Sequence, residues 1–136
     1  MCDSVYFVHE GREIHHPFAN PKAVLPVVGK QSIILLPWGR RKQQSGALPL
    51  GGWAHLDGIY SGRWDKFFPK PVKLPIRSFM VKDYEGLEHW YDVTKGQVLQ
   101  GLVAKAGHER RVYMVTLTPE RDDAIHERWP RIMVHG

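Results

Sequence analysis

The sequence predicts an α+β protein, mainly antiparallel β, folded as a barrel-like domain with one or two short helices. Three observations predict it. Short runs rich in β-branched and aromatic residues recur along the chain with turn signals between them. The 136 residues include 13 glycines and 10 prolines, a content that suits many turns joining short strands. Only two stretches, 55–68 and 118–129, space their apolar or capping residues as helices do.

The elements follow in order. "CDSVYFV" (2–8) alternates and is rich in β-formers. "VLPVV" (24–28) and "SIILLPW" (32–38) are apolar runs on either side of the turn signal "GKQ". "GRRKQQSG" (39–46) has no apolar periodicity and reads as an exposed basic loop. In "HLDGIYSGRWDKFF" (55–68), Leu56, Ile59, Tyr60, Trp64, Phe67 and Phe68 fall on roughly one helical face, despite two glycines. "PKP" (69–71) stops that helix. "VKLPIRSFMV" (72–81) is extended, and Pro75 confines it to an edge or a bulge. "EHWYDV" (88–93), "QVLQGLVAK" (97–105) and "RRVYMVTL" (110–117) read as strands. "TPERDDAIHERW" (118–129) reads as a short helix capped by Thr118, with Pro119 in its first turn. The final "PRIMVHG" is extended.

The bulk properties expect a single domain, residues 1–136, able to bury about two-thirds of its unfolded surface. No run approaches the roughly 20 apolar residues of a membrane span, so no membrane partner is expected. Asp3 and Glu10 interrupt the N-terminus, which lacks the apolar core of a signal peptide. The single cysteine cannot form an internal disulfide and suits a reducing cytoplasm. Nineteen Lys and Arg against 14 Asp and Glu leave a net charge of +5. That excess fits a polyanionic partner such as nucleic acid, and it also fits an ordinary soluble protein.

Cys2 stands directly behind Met1. If Met1 is removed, the chain begins with an amine and a thiol on adjacent carbons. Both groups are partly deprotonated near neutral pH. Such a 1,2-aminothiol converts an aldehyde to an imine and then to a thiazolidine ring. The alternative reading is a small apolar residue opening the first strand. His126, in "AIHERWP" beside Glu127 and Arg128, has the chemistry of a general acid and base; it also fits a surface histidine of a charged helix. The remaining histidines have no metal-ligand spacing, so no metal is expected. No cofactor is expected either, since phosphate-cradling and dinucleotide-binding glycine patterns are missing. In "PWGRRKQ" (37–43), Trp38 could stack on a base while Arg40, Arg41 and Lys42 meet phosphates. "PKPVK" (69–73), Arg77 and "ERR" (109–111) add positive charge. A solvated basic loop with scattered surface cations is the competing reading.

Taken in order, "MC", "FANPKAVLPVV" (18–28), "LLPWGRR" (35–41), "LPIRSF" (74–79), "LQGLVA" (99–104) and "VTLTPERDDAIHERWPRIM" (115–133) resemble the SOS response-associated peptidase (SRAP) family. The resemblance spans most of the chain, as a shortened and divergent member. It implies a β-rich, barrel-like fold that binds single-stranded DNA in the cytoplasm, associated with the nucleoid of a bacterium or phage host. It also implies capture of abasic sites as a thiazolidine crosslink through Cys2, and a related autopeptidase activity. The implied protein is a monomer. Asn20 matches the asparagine near the amine, and His126 matches the histidine that assists ring opening. Arg128 and Pro130 match the residues following that histidine, Trp38 and Gly39 match a Trp-Gly pair beside the DNA groove, and Arg40, Arg41, Arg77 and Arg128 would hold phosphates. His55 falls where the family has a DNA-contacting arginine. Asp3 and Ser4 replace the family's Gly-Arg, and Val81 falls on the catalytic glutamate. Asp83 or Glu85 is the candidate substitute carboxylate. The alternatives are a SRAP-fold binder with lost or weakened chemistry, and an autocatalytic cysteine peptidase.

Overall fold

Residues 2–17 fold back on themselves as a hairpin. Strand β1 (Cys2–His9) turns through Glu10 and Gly11 into β2 (Arg12–Pro17). Both linking residues have positive φ, 50° and 77°, as a two-residue type I′ turn demands. Strand β2 has no apolar signal in "REIHHP" beyond Ile14; the turn and its partner make it a strand.

The computed structural model describes residues 2–118 and 129–134. Its further strands are β3 (Val24–Val28), β4 (Ile33–Pro37), β5 (Trp53–His55), β6 (Lys70–Leu74), β7 (Ser78–Lys82), β8 (Glu88–Asp92), β9 (Gln97–Ala106), β10 (Glu109–Leu117), β11 (Trp129–Pro130) and β12 (Ile132–Val134). Helix α1 (Leu56–Tyr60) is the one α-helix among the described residues, followed by a 3₁₀ turn at Asp65–Phe67. The single helix expected over 55–68 is thus broken. Gly62 takes φ 86°, and the Ser61 and Gly62 amides close the helix onto Asp57 and Ile59 carbonyls. Residues 119–128 of the helix expected over 118–129 lie outside the described residues, and Trp129, its expected end, opens β11 instead.

The strands form a mainly antiparallel β protein of three sheets. The first runs β2-β1-β7-β8. The second is built on the long β9–β10 pair, with β6 and β12 against β9 and β5 and β11 against β10. Only the β5–β10 ladder is parallel among these strand pairs. The third sheet is the β3–β4 hairpin alone. These sheets do not close into a barrel. Strands β2 and β8 end the first sheet, and β3 and β4 pair only with each other. Pro75 marks the step between sheets: β6 pairs with β9, whereas β7, three residues on, pairs with β1. A ring that cannot donate a hydrogen bond fits that break in the ladder.

The inner faces bury Val5, Phe7, Leu25, Trp38, Leu74, Phe79 and Leu99 in one cluster. A smaller cluster holds Leu48, Trp64, Leu102, Tyr113 and Val115 under α1 and the 3₁₀ turn. Each fully buried leucine or phenylalanine contributes about 1.5–3 kcal/mol of hydrophobic stabilisation.

Candidate functional site

Three distant parts of the chain meet around strand β7. Cys2 of β1 lies directly opposite Val81 of β7 in the antiparallel register. Two residues along the same face, Phe79 meets Trp129 edge-on, ring centroids 5.4 Å apart. Trp129 also packs on Tyr91 of β8 at 4.8 Å. It opens β11, whose Trp129 and Pro130 pair with Leu117 and Thr116 of β10. The described end of the "IHERWP" segment therefore reaches the same apolar cluster as Cys2. His126 and Arg128 themselves lie outside the described residues.

The Cys2 thiol is fully enclosed. Its cluster includes Val5, Phe7, Phe79 and Val81, all apolar. Burial, then the charge of Asp3, pushes the thiol up from 9.0 to about 12. A thiol is a nucleophile only as thiolate, so in this environment it is chemically inert near pH 7. Its Sγ lies 3.6 Å from the Ser4 carbonyl oxygen. The Cys2 carbonyl accepts a 2.7 Å hydrogen bond from Trp53 Nε1, which ties the start of β1 to β5.

The expected carboxylate substitutes are engaged elsewhere. Asp83 sits in the β7–β8 turn, where its Oδ1 accepts from the amides of Glu85 and Leu87. Its Oδ2 lies 2.7 Å from His89 Nε2. That bond, then the two amides, hold Asp83 below its usual range against partial desolvation. Glu85 is exposed at the same turn. Asn20 is exposed, and its Oδ1 accepts from the Lys22 amide within the β2–β3 turn. It is a turn-forming residue there.

The expected stacking and phosphate-holding roles in 37–43 are corrected by burial. Trp38 has no exposed surface, and its Nε1 donates to the Gly52 carbonyl at 2.9 Å. It meets Phe18 at 5.2 Å and Trp53 at 6.2 Å inside the fold, so no base can stack on it. Arg41 is also buried. Its guanidinium lies 3.9 Å over the Phe18 ring and donates to the Phe18 and Trp38 carbonyls. Arg40 donates to the Leu48 and Gln44 carbonyls, both at 2.7 Å. The loop expected over 39–46 is exposed at Lys42, Gln43, Ser45 and Gly46, but Arg40 and Arg41 are drawn into the fold. Gly39, at φ 57°, lets the backbone run so close to Gly51 that a Cβ would clash with it. The Arg40–Gly51 bridge then draws both arginines inward, leaving Lys42 exposed.

His55 ends β5, with Nε2 3.6 Å from Asp57 Oδ2. Its Nδ1 is buried without a partner among the described residues, as is Oγ1 of Thr116, its register neighbour on β10. Arg77 is exposed beside Tyr6 and Ser78, at the far end of β7 from Val81. The residues that sequence reasoning passed over are Trp53 and Phe18, which meet at 4.7 Å between the Trp38 ring and the start of β1. Comparison with family models, curated proteins and solved structures returns no match to this chain.

Proposed function

We propose that this chain is a SRAP-type protein, a barrel-like β domain left open between its sheets, that binds single-stranded DNA without covalent chemistry at Cys2. The observation that carries the reading is the meeting of Cys2, Val81 and Trp129 around one strand. These are the positions where the resemblance sets the nucleophile, the glutamate and the segment that follows the histidine. They lie too far apart in sequence for local structure to bring them together. The same neighbourhood supports a silent thiol, because its packing is apolar and the one carboxylate that acts on the thiol, Asp3, raises it further. The net charge of +5 supports a polyanionic partner.

The test uses fluorescein-labelled oligothymidine and the same strand carrying one abasic site. Protein with Met1 removed and its Cys2→Ala variant are compared by anisotropy and by denaturing gel. Both should bind with a log affinity that falls linearly with log salt, and neither should leave a heat-stable product. A heat-stable product lost in Cys2→Ala would restore abasic-site capture as the function. Absence of salt-sensitive binding in both proteins would overturn the reading altogether.

A further inference from the structure

A cleft of about 500 Å³ opens on the side of the fold where β3 and β4 lie against β6. It is lined by the β3–β4 turn, β6, the end of β9 and the start of β10. Neither Cys2, Val81 nor Trp129 lines it. Its floor is apolar, made by Val27, Leu36 and Val103, each at least nine-tenths buried. Around that floor stand Lys30, Lys70, Lys73, Lys105 and Arg110, and the lining contains no carboxylate. None of the five cations has an ion-pair partner among the described residues. The nearest acid in sequence, Glu109, is held on the other face of β10 by Arg111 and by the amides of Ala47 and Leu48.

Two features here cost stability, although Phe68 also serves as the left-handed cap that ends the 3₁₀ turn at Asp65–Phe67. Lys105 and Arg110 are direct cross-strand partners in the β9–β10 register. Like charges placed opposite each other destabilise a ladder, and here no anion offsets them. Phe68, at the lip of the cleft, has φ 51° and is 74% exposed. A bulky side chain in the left-handed region is strained, and this ring buries little surface in exchange. Strain and unpaired charge of this kind accumulate where a ligand supplies the compensation.

We infer that this cleft is where an unpaired nucleic-acid strand lies, with its phosphates on Lys30, Lys70, Lys105 and Arg110 and a base on the Phe68 ring. Cations beside an apolar floor and an exposed ring match a strand that offers phosphates and bare base faces. In a duplex the base faces are already stacked, so Phe68 would have nothing to cover. The inference rests on the single-strand-binding reading and names a site away from the cysteine.

Two substitutions remove the proposed contacts without threatening the fold. Lys105→Glu turns the like-charge pair with Arg110 into an opposite-charge pair. Phe68→Gly removes the ring and relaxes the backbone. Both variants should melt at or above the wild-type temperature. Both should bind labelled oligothymidine at least tenfold more weakly at low salt, and Lys105→Glu should flatten the salt slope by about 0.7. Lys95→Glu, in the exposed β8–β9 turn outside the cleft, should bind within twofold of wild type. If wild type binds and the two cleft variants bind equally well, the site is wrong and the binding reading stands. If wild type binds the duplex form better, or binds anionic phospholipid vesicles and no oligonucleotide, the inference falls; the second outcome overturns the reading with it.

Discussion

Cys2 and Val81 oppose each other across the β1–β7 ladder with both side chains fully buried. A thiol and an isopropyl group in that position form a packing contact. The environment that stabilises the contact also suppresses the thiolate.

Cys2 is therefore expected to resist alkylation in the folded protein. At pH 8 a thiol raised to about 12 is thiolate at roughly one part in ten thousand, against about a quarter for a free cysteine. Labelling by iodoacetamide should be slower than in urea by about a thousandfold. Equal rates in the two states would mean that the site is open.

The same shift gives an alkaline signature. The folded pKa is raised, so its stabilising contribution is full below the ordinary value of 9.0 and is lost as pH rises toward about 12. Chemical denaturation across that window should show wild type losing stability faster than Cys2→Ala. Parallel curves would remove the thiol as the cause.

Placing a carboxylate at Val81 with Val81→Glu, where the resemblance sets a glutamate, should not create chemistry by itself. The new group would be buried opposite Cys2 with no partner among the described residues. A loss on the order of 2–4 kcal/mol is expected, read as a lower denaturation midpoint. A variant as stable as wild type would show that the layer admits water.

Arg41 should behave as a structural residue. Arg41→Ala leaves the Phe18 and Trp38 carbonyls without their donor, at a cost of about 2–3 kcal/mol. Lys42→Ala, one residue on, should change stability by less than about 0.5 kcal/mol. Equal small effects would return both residues to the surface.

Asp83 should give an acid signature. His89 and two turn amides hold its carboxylate below the ordinary 3.8. Its stabilising contribution is present above that value and is lost as pH falls through the lower folded pKa. The stability difference between wild type and Asp83→Asn should therefore shrink below pH 3.8, and a difference that grows there would contradict the assignment.

Much of the fold was legible because period-two patterning is local. "VLPVV" is β3 residue for residue, and the runs at 97–105 and 110–117 are β9 and β10 with boundaries within one residue. The single extended run read over 72–81 is two strands, β6 and β7, in different sheets, and Pro75, read as an edge or a bulge, stands at the step between them. Cysteine at position two and the basic segments at 69–73 and 109–111 were likewise read directly from the residues.

What a residue faces was not legible, since burial depends on partners from distant parts of the chain. Trp38 and Arg41 look like a stacking ring and a phosphate contact, but Phe18, Gly52 and Trp53 enclose them. Strand β2 exists because Glu10 and Gly11 turn it onto β1. Lys30, Lys70, Lys105 and Arg110 are scattered over 81 positions of sequence; only the packing of β3 and β4 against β6, beside the β9–β10 ladder, gathers them around one cleft. Local sequence sets the period of each strand, whereas the register between strands decides which charges meet and which side chains water can reach.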